Sequence, residues 1–149
     1  LAKEFFNLCQ QSDFNSAYSD NIDQVLWDKW VFLATLAGMT TMCRGSVGDI
    51  VATPYGQELV LAMYEECCSV AKACGQTIGD KPKATAIEML TKVGSPFTAS
   101  MLRDLLSGQR TEHDHILGKM IEKGEKNGMA CQLLKAAYTH IAVAQALKN

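Results

Sequence analysis

IDQVLWDKWVFLATLAGMTTMCR, residues 22–44, decides the fold. Wound as a helix it is apolar nearly all round, the mark of a helix buried on most sides rather than one lying along a surface. It reads as the central helix of an all-α domain. One lysine stands out near the front of the run: Lys29, next to Asp28 and between Trp27 and Trp30.

The rest of the chain fits one domain built around that helix. Its 149 residues can bury a sizeable core, and 48% hydrophobic with 20% charged residues is a globular composition. The longest uncharged apolar run, Trp30 to Cys43, is too short to span a bilayer. A formal net charge of −2 and no Lys/Arg cluster argue against nucleic acid or an anionic membrane as partner. Six cysteines (Cys9, Cys43, Cys67, Cys68, Cys74, Cys131) lie mostly within apolar helical pattern, without CxxC or zinc-type spacing. They read as reduced core residues of a cytoplasmic protein. No basic and apolar leader follows Leu1, and a start without Met reads as a fragment.

Six helical segments are expected, with no strand. After residues 22–44, the segment Gly45 to Asp49 reads as a loop, and Thr53-Pro54 as the N-cap and first position of a second helix. Glu58, Glu65 and Lys72 give that helix a wet stripe, and Gly75 stops it. Lys81-Pro82 opens a third helix ending near Val93, broken by Gly94-Ser95-Pro96. A fourth covers roughly Ser100 to Ser107. In the fifth, Thr111 and Asp114 have capping-box spacing, and Ile116, Leu117, Met120 and Ile121 form an inward stripe. The last runs from about Ala130 almost to the end.

Lys29 has two readings. In dry surroundings supplied by Trp27, Trp30, Phe32 and Leu33 an ammonium becomes costly, its pKa falls, and it suits proton transfer. Otherwise its stem snorkels over a tryptophan and the charge stays in water, the commoner case. Ser100 and Glu112 each fall in the first turn of an expected helix, where capping accounts for both. Glu112 also stands in line with Ile116 and Met120, bordering the inward face, where a carboxylate wants a partner. Asp104, one turn after Ser100, could orient its hydroxyl or merely extend a polar edge. His113-Asp114-His115 is not a metal site on spacing, because ligands two apart on a helix diverge. No GxGxxG, Walker or GxSxG motif occurs, so any nucleotide must be held by another domain.

Two segments together carry a resemblance. LWDKWVFLATLAGMTTMCRGSVGDI, residues 26–50, resembles the W-x-K helix opening the C-terminal domain of ketopantoate reductases (2-dehydropantoate 2-reductases). TASMLRDLLSGQRTEHDHILGKMIEKGEKNGMACQLLKAAY, residues 98–138, is similar to that family's S-S-M-x-x-D … G-x-x-T-E … G … G block. The resemblance implies that residues 1–149 are the helical substrate-binding and dimerisation domain of a two-domain enzyme. The implied fold is like the C-terminal domain of 6-phosphogluconate dehydrogenase. NADPH would be bound mainly by an N-terminal Rossmann domain outside this chain, and a small 2-keto acid would sit between the two. The implied reaction is reduction of ketopantoate to pantoate, in coenzyme A precursor biosynthesis, by a protein that can pair as a homodimer; the isolated domain would be inactive. Lys29 would be the general acid, Ser100 would bind the substrate carboxylate region, and Glu112 would accept from the substrate hydroxyl.

This sequence departs from the family pattern at three positions. Asparagines are common one and two turns after the lysine, where Leu33 and Ala37 stand here. A proline is also common where Cys131 stands. Losing two amides should weaken recognition of a hydroxylated substrate more than it affects the reaction class. Another small 2-keto acid, a related hydroxyacid dehydrogenase, and a non-catalytic helical dimerisation domain are the alternatives.

Overall fold

α2 (Ile22–Cys43) is the axis on which the other elements are laid. The structure, a computed structural model, describes residues 2–9 and 19–148. Asn21 starts α2, its side-chain oxygen accepting from the Gln24 amide at 3.2 Å, and Arg44 ends it in the left-handed region at φ 55°. From Val31 to Thr41 nearly every side chain is buried, as the apolar run requires. The first turns differ: Ile22, Val25, Leu26 and Lys29 are exposed.

Around this axis the chain adds α1 (Ala2–Cys9), α3 (Val47–Val51), α4 (Gly56–Ala73), α5 (Asp80–Leu90), α6 (Ser100–Leu106), a π-helical turn (Asp114–Gly118), α7 (Lys119–Lys126) and α8 (Gln132–Ala146). The described residues contain no strand. α2 packs against α3, α4, α5, α6, α8 and the π turn. At its most crowded point Gly38 lets Met63, Leu117 and Ala137 close over the backbone, where a β-carbon would lie 3.3–3.6 Å from each. Met63, Leu117, Leu134 and Ile141 are fully buried. Each such side chain contributes about 1.5–3 kcal/mol by leaving water. No helix among the described residues is long and apolar enough to cross a membrane.

The expected segments from 22–44 onward all appear, with corrected bounds. α4 begins at Gly56 rather than at Pro54, because Thr53 turns its hydroxyl back to the Ile50 carbonyl at 2.7 Å instead of capping forward. Its stripe of Glu58, Glu65 and Lys72 is exposed, and Gly75 follows its end at φ 87°. α5 stops at Leu90, short of Val93. Two α-helices were not expected. α1 is one, and α3 replaces the loop expected over Gly45 to Asp49. Ser46 accepts from the Asp49 amide and Asp49 accepts from the Ser46 amide, a complete capping box.

The cysteines divide by depth. Cys67 and Cys131 are buried, Cys68 and Cys74 half-buried, and Cys43 exposed, against the expectation of a core role; these five are free thiols. The side chain of Cys9 lies outside the described residues. Burial pushes the Cys67 thiol up to about 12, leaving almost no reactive thiolate near neutrality. With an alkylating reagent at pH 8, mass spectrometry should find Cys43 modified in the folded protein and Cys67 modified only after denaturation. Early labelling of Cys67 would show that this core opens readily.

Candidate active site

α3 matters because of what its first turn holds. The Val47 amide donates to the Phe97 carbonyl at 2.9 Å, and the Gly48 amide donates to the Ser95 carbonyl at 2.8 Å. Two orphan donors of a helix start thus fix the segment 95–97. One step further, the Ala99 amide donates to Thr40 Oγ at 3.3 Å, and Thr40 is fully buried on α2. Ser100, the first residue of α6, is therefore positioned from two sides.

Glu112 is positioned from two other sides. Before it, the Thr111 amide donates to Gln145 Oε1 on α8 at 2.9 Å, and Gln145 Nε2 donates to the Gln109 carbonyl at 3.0 Å. After it, Trp30 Nε1 donates to the Ile116 carbonyl at 3.0 Å, tying α2 to the π turn. A π turn releases carbonyls from the regular ladder, and such turns recur at functional sites. The capping box expected between Thr111 and Asp114 does not form. Thr111 is buried, with its hydroxyl engaged with His113 Nδ1 at 2.7 Å and Gln145 Oε1 at 3.2 Å. Asp114 instead accepts from the Tyr138 hydroxyl at 2.6 Å.

These supports converge on one pocket of about 300 Å³, at the small end of the range for small-molecule sites. Ser100 and Glu112 both line it, with Leu33, Leu36, Ala37, Phe97 and Ile116 among the walls. Both polar residues are exposed, and neither side chain is committed to a hydrogen bond within the described residues. Lys29 stands outside the lining, one helical turn before Leu33 on the same line of α2. It is exposed and no carboxylate of the described residues pairs with it.

Of the two sequence readings of Lys29, the dry one does not describe its surroundings in this chain, and the other agrees in leaving the charge in water. Trp30 faces the π turn, and the cation over the Trp27 ring, 5.9 Å from its centroid, is Lys123. The two tryptophan rings lie tilted by 38° with centroids 4.9 Å apart, and Lys29 is exposed rather than enclosed by them. Asp104 is half-buried and makes no bond to Ser100, so it extends a polar edge. Sequence reasoning missed Phe97 and the supports Thr40, Trp30 and Gln145. An aromatic residue directly after the Gly-Ser-Pro break at 94–96 was the available signal for Phe97.

Among the described residues no three His, Cys, Asp or Glu side chains gather as a metal site. His113 is buried on Thr111 and against the Tyr138 ring, with centroids 5.0 Å apart, and His115 is exposed. Nor does a glycine-rich turn lead from a strand into a helix, the geometry that cradles a dinucleotide pyrophosphate.

The hydrogen bond from the Tyr138 hydroxyl, more than any neighbouring charge, holds the Asp114 carboxyl below its ordinary value. A depressed carboxylate stabilises the fold above its unfolded pKa, and that contribution is lost as pH falls through the folded one. Tyr138→Phe should therefore raise the Asp114 pKa and narrow the acid range in which the fold resists unfolding, read by NMR titration of the carboxyl carbon. An unchanged Asp114 titration would contradict the bond.

Comparison with known proteins gives the family and the fold. The family model described as the ketopantoate reductase PanE/ApbA C-terminal domain matches residues 21–145. The uncharacterized oxidoreductase YkpB of Bacillus subtilis is 31% identical over 130 residues, 87% of this chain and 43% of that protein. A 2-dehydropantoate 2-reductase of Pyrobaculum aerophilum is 27% identical over 130 residues, 87% of this chain and 46% of the relative. This chain thus spans less than half the length of these relatives. A crystal structure of a PanE/ApbA family ketopantoate reductase from Ralstonia eutropha aligns with a TM-score of 0.87 at 18% identity, over 98% of this chain and 49% of that one. At that identity the likeness is one of fold.

Proposed function

Since this chain belongs to the ketopantoate reductase C-terminal-domain family, we propose that it is the substrate-side half of a two-domain reductase that converts a 2-keto acid to the 2-hydroxy acid. The observation that carries this reading is the pocket that unites Ser100 and Glu112, with Lys29 one turn away along α2. Ketopantoate, the substrate in the family's name, is the reference substrate. NADPH, held by a Rossmann half outside this chain, supplies the hydride for the keto carbon.

The residues of this chain handle the substrate and the proton. Ser100 donates a hydrogen bond to the substrate carboxylate. Glu112 accepts from the C2 hydroxyl once it has formed. Lys29 Nζ gives its proton to that oxygen as negative charge develops on it, and water later restores the ammonium. A cation placed against a developing alkoxide stabilises the transition state more than the ground state. Lys29 is exposed in this chain, so the dryness that strengthens this effect comes from closure of the other half over the exposed first turns of α2. A second copy of the parent and the Rossmann half are the protein partners, in the cytoplasm.

The test is turnover by the full-length parent, following NADPH oxidation and hydroxy-acid formation together with ketopantoate and a panel of 2-keto acids. One-to-one formation of product is expected. A folded parent that binds NADPH and reduces no keto acid would leave the domain a helical scaffold.

A further inference from the structure

The pocket is divided by chemistry. Its polar side chains, Thr98, Ser100 and Glu112, come from the segment entering α6 and from the residue before the π turn. α2 contributes only Leu33, Leu36 and Ala37. The backbone behind them offers nothing either: it is tied into the helix, and the Leu36 carbonyl already accepts from Thr40 Oγ at 2.7 Å. Phe97 extends the apolar side, backed by Phe32 with ring centroids 6.3 Å apart and planes inclined by 27°.

A 2-keto acid has two polar ends to satisfy: the Ser100 hydroxyl donates to its carboxylate and Lys29, one turn before Leu33, to its C2 oxygen, while Glu112 accepts from the hydroxyl that reduction makes there. Whatever hangs from C3 must then lie against α2 and Phe97. A hydroxyl there would give up water and find no partner, which is costly, whereas a methyl group would leave water favourably. Building on the reductase reading above, we propose that this pocket selects a 2-keto acid with a branched, purely apolar side chain over its hydroxylated counterpart. Leu33, Ala37 and Phe97 determine that choice.

Ketopantoate and trimethylpyruvate test this, because they differ by one hydroxyl on an otherwise identical branched side chain. Calorimetric titration of the full-length parent with the two product hydroxy acids reads the pocket without turnover, and kcat/KM for the two keto acids reads it in the reaction. Both should favour the compound lacking the hydroxyl by about 10- to 100-fold, the range an apolar pocket achieves against an added hydroxyl. Leu33→Asn, at a half-buried position where an amide can be carried, should reduce that ratio by about tenfold as the hydroxyl gains a partner. Equal or stronger binding of the hydroxylated acid by the unaltered parent overturns the inference and leaves the reductase reading intact. Selective binding with no reduction of either keto acid overturns the reductase reading and leaves the pocket's preference standing. Binding of neither acid overturns both.

Discussion

Gly56→Ala lowers the melting temperature of the parent protein by about 6–12 °C, from a destabilisation of about 3 kcal/mol. The cause is backbone against backbone. A β-carbon at Gly56 would stand 1.7 Å from the Ile50 carbonyl oxygen, which already accepts from the Thr53 amide at 3.1 Å and the Thr53 hydroxyl at 2.7 Å. No rotamer change relieves such a contact, so the α3–α4 corner must open. The effect should reach the pocket, because α3 holds the segment 95–97 through the Val47 and Gly48 amides. Gly79→Ala is the matched control: its β-carbon would meet only Pro82, at 3.6 Å, and its φ of −72° suits alanine. Gly79 is the N-cap of α5, where glycine is preferred to alanine, so that change should cost at most about 1 kcal/mol. A scanning calorimetry trace in which both variants melt together would contradict the packing described for this corner.

Lys29→Ala should lower kcat of the full-length parent by about 10²- to 10⁴-fold, the usual worth of a positioned general acid. Stability should hardly change, since Lys29 is exposed, pairs with no carboxylate of the described residues, and sits on a helix where alanine is favourable. Lys29→Arg separates the two things a lysine offers. It keeps the positive charge, but a guanidinium stays protonated and cannot act as the acid. An arginine variant nearly as slow as the alanine variant would identify proton donation; one close to normal would assign the residue an electrostatic role. An alanine variant within tenfold of the unaltered kcat would remove Lys29 from the reacting atoms.

Sequence and structure agree where the signal is local and dense. The run from Val31 to Thr41 specifies a buried helix through its own composition, and α2 takes that place. The contrast between two capping patterns shows where local reading ends. Ser46 with Asp49, and Thr111 with Asp114, have the same spacing. At Ser46 the groups have no competing long-range partner, and the box closes. At Thr111 a glutamine 34 residues away claims both the amide and the hydroxyl, and Tyr138 takes the aspartate. A pattern cannot announce a partner that only tertiary folding delivers.

The candidate site divides the same way. Ser100 and Glu112 were identifiable from their positions at expected helix starts, and the structure brings them into one pocket. The dry environment considered for Lys29 does not form in this chain, because neighbours in sequence were taken as neighbours in space. Trp27 and Trp30 flank it along the chain but face α7 and the π turn. Phe97 escaped notice for the opposite reason: it belongs to no helix, and its place in the wall depends on α3 and Thr40, both remote in sequence.

The central claim, reduction of a keto carbon on this domain, is tested most directly by isotope transfer. The full-length parent would be supplied with NADPH deuterated at the nicotinamide C4 and with trimethylpyruvate or ketopantoate, and the hydroxy acid examined by NMR and mass spectrometry. Deuterium on C2 of the product, with solvent-derived hydrogen on its oxygen, is the predicted result. A folded, NADPH-binding parent that yields no labelled hydroxy acid from either compound would contradict the account.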